Sequence, residues 1–242
     1  MRAGQVEPNE QDAPPVRLPL LGLQRAPSLA EQGAEAIVGG IASGALRPGQ
    51  RLVESELART LQMSRVPLRE ALKILETQGI VESTPHRGTF IPPLNDIRMD
   101  QVCAARIALE RLAIPDAVKN YLRSPERLAQ LDRIIATMER AAEALAWMEV
   151  SQADLSFHRE ICRTSGNTVV LTLWESLARH VLIVFGHEIR DEKEAQILGP
   201  HHRRLRDLIA EGDTETLLQE IEGHILRLRK RTLAKGRKRI GG

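Results

Sequence analysis

From Met99 to Arg231 the apolar residues of this chain recur every three or four positions, and no stretch reads as a strand. That pattern restricts the larger part of the chain to packed helices. Phe, Trp and Tyr together make up only 2% of the 242 residues, while apolar residues reach 42%. The core must therefore be built from Leu, Ile, Val and Ala, which suits helices better than a β-sandwich. Breaks are expected near Ser124–Pro125, Ser165–Asn167, Gly199–Pro200 and Gly212–Asp213. They divide the region into about six short-looped helices, as in a bundle. Pro115 falls inside the first of these and is expected to kink it.

The first third reads differently. Residues 1–27 are rich in Pro, Gln and Glu without periodicity, and are expected to form a disordered tail. Ser28–Glu31 ("SLAE") is a capping box that opens a helix reaching about Ala45, with Ala34, Ile37, Val38 and Ile41 on one face. Pro48 and Gly49 then favour a turn. Two short helical patterns follow. Glu54–Leu61 carries Leu57, Ala58 and Leu61 on one side. Ser64 can cap a second helix to Gln78, with Leu68, Ala71, Leu72 and Leu75 inward and Gly79 in the left-handed position beyond its end. "IVES" and "TFIP" are strand-like runs around a "TPHRG" turn, and Pro92–Asp96 reads as a linker. The expected architecture is mainly α: a winged helix-turn-helix over 28–93, a linker over 94–98, an all-α helical bundle over 99–232, and a basic tail over 233–242.

Charge does not decide the partner. The formal net charge is +2, and residues 28–93 hold seven basic and seven acidic side chains. Position is more telling. Arg65, Arg69 and Lys73 line the second helix of the pair, where an arginine fork can meet a guanine edge or a phosphate. Ser64 at its N-terminus can bind phosphate together with the helix amides. His86, Arg87 and Gly88 form the tip of the expected wing. Eight basic residues and no acidic one lie between Arg227 and Arg239, which suits either phosphate contacts or the solvated end of a helix. Cys103 and Cys162 form no CxxC pattern and no disulfide framework is expected. No secretory pattern and no apolar run of membrane-spanning length stands out, so a soluble cytoplasmic protein is expected.

"ADLSFHREI" carries the chemistry of the bundle. Asp154 and His158 are four residues apart and share a helical face. His202 stands roughly ten residues before the Glu211–Asp213 turn and His224 roughly eleven after it, about 15 Å along each of two antiparallel helices. The four side chains can converge from three helices. One oxygen and three imidazole nitrogens suit Zn²⁺, Ni²⁺ or Mn²⁺. The same set also suits a hydrolase that activates a metal-bound water, or a bundle in which the histidines are structural and the domain only dimerises. Glu160, two residues beyond His158, points to another face and supplies no general base. Nucleophile motifs and a Gly-rich phosphate loop are absent.

The stretch "ASGALRPGQRLVESELARTLQMSRVPLREALKILETQGIVESTPHRGTF" resembles the winged-helix domain of the GntR family of bacterial transcription regulators. The matching marks are G-x-L-x-P-G-x-x-L, E-x-E-L-A, S-R-x-P-x-R-E-A-L-x-x-L-x-x-x-G and the closing R-G. The resemblance implies DNA contacts at Ser55, Ser64, Arg65, Val66, Arg69, His86 and Gly88. Val66 stands where Thr is common and offers an apolar contact in place of a hydrogen bond. "ARIALE", "DLSFHREICRTSGN", "HHRRLRDLIAEGD" and His224 resemble the FCD effector domain of FadR-type members. That resemblance implies metal ligands at Asp154, His158, His202 and His224, with His201 where Glu is usual. It also implies a small organic or sugar acid as effector, a homodimer, and a near-palindromic operator. Arg106 and Arg179 are the arginines expected to meet the effector carboxylate, since Arg offers a bidentate fork, although Arg106 can instead pair with Glu110 at i,i+4.

Overall fold

The computed structural model describes residues 27–188 and 192–240. The disordered tail expected over 1–27 lies almost wholly outside them. The chain opens with α1 (Leu29–Ala42). Ser28 Oγ accepts from the Glu31 amide and the Glu31 carboxylate accepts from the Ser28 amide, so the capping box is formed. The helix ends at Ala42, before the expected Ala45, because Gly44 turns left-handed at φ 73°.

β1 (Arg51–Leu52), α2 (Glu54–Thr60), α3 (Arg65–Thr77), β2 (Glu82–Thr84) and β3 (Gly88–Phe90) complete the winged helix-turn-helix. Leu68, Ala71, Leu72 and Leu75 of α3 are all buried. Gly79 takes φ 66° past its end, as the sequence predicts. The sheet has the order β1-β3-β2, both pairs antiparallel, with Arg51 opposite Phe90 and Ser83 opposite Thr89. β1 is too short to leave an alternating pattern, and the sequence reading gave only the hairpin.

The bundle consists of α4 (Asp96–Arg123), α5 (Leu128–Glu143), α6 (Trp147–Thr164), α7 (Thr168–Glu188), α8 (Glu192–Glu211) and α9 (Thr214–Ile240), with a short 3-10 turn at Pro125–Arg127. Among the described residues six helices are found where about six were expected, but several boundaries differ. α4 starts inside the expected linker, because Asn95 Oδ1 accepts from the Arg98 amide and caps it. Gly199–Pro200 is no break, since α8 runs through it. Gly199 is there for packing: a Cβ would stand 2.6 Å from Glu139 Cγ of α5. The missed break is at Leu145, whose φ of 55° separates α5 from α6. α9 also extends as helix to Ile240, through most of the expected tail.

Thr168–Gly186 of α7 is long and apolar enough to cross a membrane by length and composition, so the expectation that no such run exists is corrected. Half of that stretch is buried inside the protein. Packing against α1, α4 and α6 accounts for its apolarity.

One continuous apolar core joins the two domains, from Ala34, Ile37 and Ile41 of α1 through Val184 and Phe185 of α7 to Leu217 and Ile221 of α9. The domains meet closely at Gly186, where a Cβ would fall 2.9 Å from Ala42 Cβ and 3.1 Å from its carbonyl oxygen. A large side chain must push α1 away from α7. Gly186→Leu should therefore destabilise the protein by about 1–3 kcal/mol, read as a lower thermal midpoint. An unchanged midpoint would show that the helices do not approach this closely.

Candidate metal and effector site

Asp154, His158, His202 and His224 converge in the middle of the bundle from α6, α8 and α9. Asp154 and His158 sit one turn apart on the buried face of α6, between Val150 and Ile161. The ligand-type atoms lie within 4.8 Å of one another. Asp154 Oδ1 is 3.2 Å from His202 Nε2, 3.7 Å from His224 Nε2 and 3.8 Å from His158 Nε2. His158 Nε2 and His224 Nε2 are 3.3 Å apart. Ligand atoms held about 2.0–2.1 Å from a tetrahedral ion stand roughly 3.3–3.4 Å from each other, so these separations fit a metal.

The tautomers point the same way. His158 Nδ1 is 2.7 Å from Glu110 Oε2 and His202 Nδ1 is 2.8 Å from the Leu198 carbonyl. Each of those nitrogens must carry the proton to donate, which leaves a lone pair on Nε2. His202 Nε2 thus faces the Asp154 carboxylate as one acceptor facing another, and it has no hydrogen-bond partner among the described residues. Such buried ligand-type atoms gathered around a common point could hold a cation. The carboxylate–histidine pair formed by Glu110 and His158 is also the usual outer support of a metal-binding imidazole.

Charge in the site is arranged around Arg106 of α4. Its Nε donates to Glu110 Oε1 at 2.9 Å and its Nη2 to Asp154 Oδ2 at 3.2 Å, with the guanidinium 4.9 Å from the centre of the Phe185 ring. Burial works against the Glu110 carboxylate, but His158 and Arg106 outweigh it and bring its pKa down to about 2. Burial likewise opposes charge on Asp154, yet the Arg106 guanidinium beside it holds it well below the usual range. Burial keeps His158 and His224 neutral, with Arg106 adding to the effect on His158. Two anionic carboxylates and uncharged imidazoles are the protonation states that metal binding requires.

Of the two arginines expected to meet an effector, Arg106 lies at the cluster, committed to two carboxylates. Arg179 lies outside it. It donates to Glu35 of α1 and to Gln78 at the end of α3, both at 3.0 Å, beside a cleft of about 330 Å³ between the domains. Sequence reasoning paired Glu110 only with Arg106 and missed its hold on His158, because that contact joins two helices far apart in the chain.

The residues expected to contact DNA lie on one module. Ser55, Ser64, Arg65, Val66, Arg69 and His86 are exposed, and Val66 is 68% accessible despite being apolar. Arg69 Nε donates to Glu54 Oε2 at 2.8 Å. His86 and Gly88 adopt φ of 63° and 93° at the wing tip. A Cβ on Gly88 would stand 3.1 Å from Arg51 Nε, so this glycine makes room for Arg51 as well as for the turn.

Residues 29–91 match the family model described as bacterial regulatory proteins, gntR family, and residues 101–227 match the FCD domain. The chain belongs to the GntR family of transcription regulators, in the branch with an FCD domain. The probable D-xylose utilization operon transcriptional repressor of Paenarthrobacter nicotinovorans is 28% identical over 198 residues, covering 82% of this chain and 86% of that one. The Nta operon transcriptional regulator of Aminobacter aminovorans is 27% identical over 179 residues, covering 74% and 82%. The solved structure of E. coli McbR/YncC superposes with a TM-score of 0.72 at 22% identity, over 86% of this chain and 98% of that one, which is a likeness of fold.

If Glu110 orients His158, Glu110→Gln should weaken zinc affinity about ten- to a hundredfold. Competition with a chromophoric chelator would measure it. Wild-type affinity would reduce Glu110 to a structural residue.

Proposed function

We propose that this GntR-family regulator is switched by a small organic or sugar acid that binds at a divalent metal in the bundle. Asp154, His158, His202 and His224 would hold the ion, with Zn²⁺, Ni²⁺ or Mn²⁺ as the fitting ions. The carrying observation is the set of ligand-type atoms on these four buried residues, all within 4.8 Å of one another. A bound divalent ion would supply a Lewis-acid centre able to accept a carboxylate oxygen.

A cytoplasmic homodimer would present two copies of α3 to a near-palindromic operator. Arg65 and Arg69 would contact base edges or phosphates, Val66 a thymine methyl, and Ser55, Ser64, His86 and Gly88 the backbone. The Arg69–Glu54 pair is exposed on both sides, so exchanging it for a DNA contact is inexpensive. The effector shifts DNA binding to the extent that it binds the DNA-competent and DNA-free arrangements unequally. A hydrolytic role is disfavoured by the same geometry. Glu110 is fully engaged by His158 and Arg106, and Glu160 pairs with Arg163, which leaves neither as a general base.

Protein purified without a His-tag or chelator should contain about one metal per chain, and the His158→Ala/His202→Ala double mutant none. Elemental analysis that finds equal metal in both would refute the four-ligand assignment. Arg69→Ala should weaken binding to DNA selected from a random pool by the wild-type protein, by about tenfold or more. A gel shift at wild-type affinity would remove Arg69 from the interface.

A further inference from the structure

Among the described residues of the bundle, Arg227 is the cation whose buried donors have no partner. It lies on α9 three residues beyond His224, on the same face of the helix. Its Nε, Nη1 and Nη2 are all buried and have no hydrogen-bond partner among the described residues. Other arginines reaching inward are engaged: Arg106 by Glu110 and Asp154, Arg206 by Asp132, and Arg229 by Asp96 and Asp100. A buried guanidinium without acceptors is costly, because its donors have lost water and gained nothing. Burial disfavours its charge, and the nearby Asp154 offsets that only in part. His201 of α8 also lies within its field, beside the exposed Glu220.

Two further observations say what belongs there. His224 is 8% accessible, whereas Asp154 is 2% and His158 and His202 are 0%, so the most accessible of the four is the one on α9, three positions from Arg227. The second is charge. Arg106 and Glu110 cancel, Asp154 contributes one negative charge, and imidazoles that bind a metal do so uncharged. A divalent ion would leave the cluster at +1, and Arg227 raises the enclosed total to +2.

We propose that Arg227 is the second anchor of the effector pocket and that it selects a dianionic organic acid. One anionic group would lie beside His158, His202 and His224, and the other on the guanidinium fork. This rests on the metal-dependent effector site proposed above, and it names the class of acid. A monocarboxylate leaves one positive charge enclosed, while a dicarboxylate neutralises both and supplies paired acceptors to two of the three nitrogens of Arg227.

The test is calorimetry on zinc-loaded full-length protein with succinate and malonate against butyrate and propionate. Wild-type protein should bind the better dicarboxylate at least about tenfold more tightly than the matching monocarboxylate, about 1.4 kcal/mol. In Arg227→Gln that preference should fall below about threefold with monocarboxylate affinity little changed, and Arg227→Lys should lie between. Zinc content of each variant, by elemental analysis, and its thermal midpoint report whether the cluster and the fold are intact. Equal binding of both acid classes by zinc-loaded wild type, or an undiminished preference in a folded Arg227→Gln, overturns the assignment to Arg227 and leaves the metal site standing. A wild-type protein that takes up no zinc and binds neither class overturns both proposals.

Discussion

The Glu110 carboxylate ties the centre of the bundle together. Its Oε2 holds His158 Nδ1, and its Oε1 takes Arg106 Nε and, at 3.4 Å, Trp174 Nε1. Arg106 in turn reaches Asp154 Oδ2, which leaves Oδ1 to face the three imidazoles. Burying these charges costs several kcal/mol per ion before pairing, and only a nearly complete set of hydrogen bonds offsets it. The network is therefore poor evidence for stability and good evidence for a fixed geometry. Remove Glu110, and Arg106 loses one of its two acceptors while the His158 ring loses the bond that sets its tautomer.

The amphipathic helices were legible because their burial is set by local spacing. Ser28, Leu68, Leu75 and Gly79 do what period and capping chemistry require of them. The misreadings occur where a distant contact overrides a local rule. Gly199–Pro200 looks like a stop, yet the glycine exists so that α8 can lie against Glu139 of α5. Leu145 is no turn former and still adopts a left-handed conformation to end α5. β1 depends on β3, almost forty residues later in the chain.

The candidate site was legible in part for the same reason. Asp154 and His158 share a helix, and His202 and His224 flank one short turn, so their convergence follows from arithmetic along helix axes. The support around them does not, since Glu110 and His158 meet across 48 positions. Arg227 differs again. Its place one turn from His224 is visible in the sequence, but it sits in a run of basic residues that reads as a solvated helix end. What the sequence does not show is that its donors are buried and, among the described residues, without a partner.

α7, like α4, touches both the network around the cluster and the reading head. Trp174 approaches Glu110, Arg179 binds Glu35 and Gln78, and Gly186 lies against Ala42. His180, one residue on, is 3.4 Å from Arg98, which also donates to the Gly79 carbonyl behind α3. From Trp174 to Gly186 is about 18 Å along a helix. If a helix of that length moves as a unit, a change in packing around Glu110 would reach α1 and the end of α3 as a displacement or a roll. The contacts at the far end are of two kinds. The Gly186–Ala42 approach leaves no slack, whereas the Arg179 bonds are side-chain bonds to partly exposed acceptors and can be exchanged. Such a joint transmits motion through its packed end and permits it through its polar one. That is the physical requirement for a ligand in the bundle to bias where α3 stands relative to DNA.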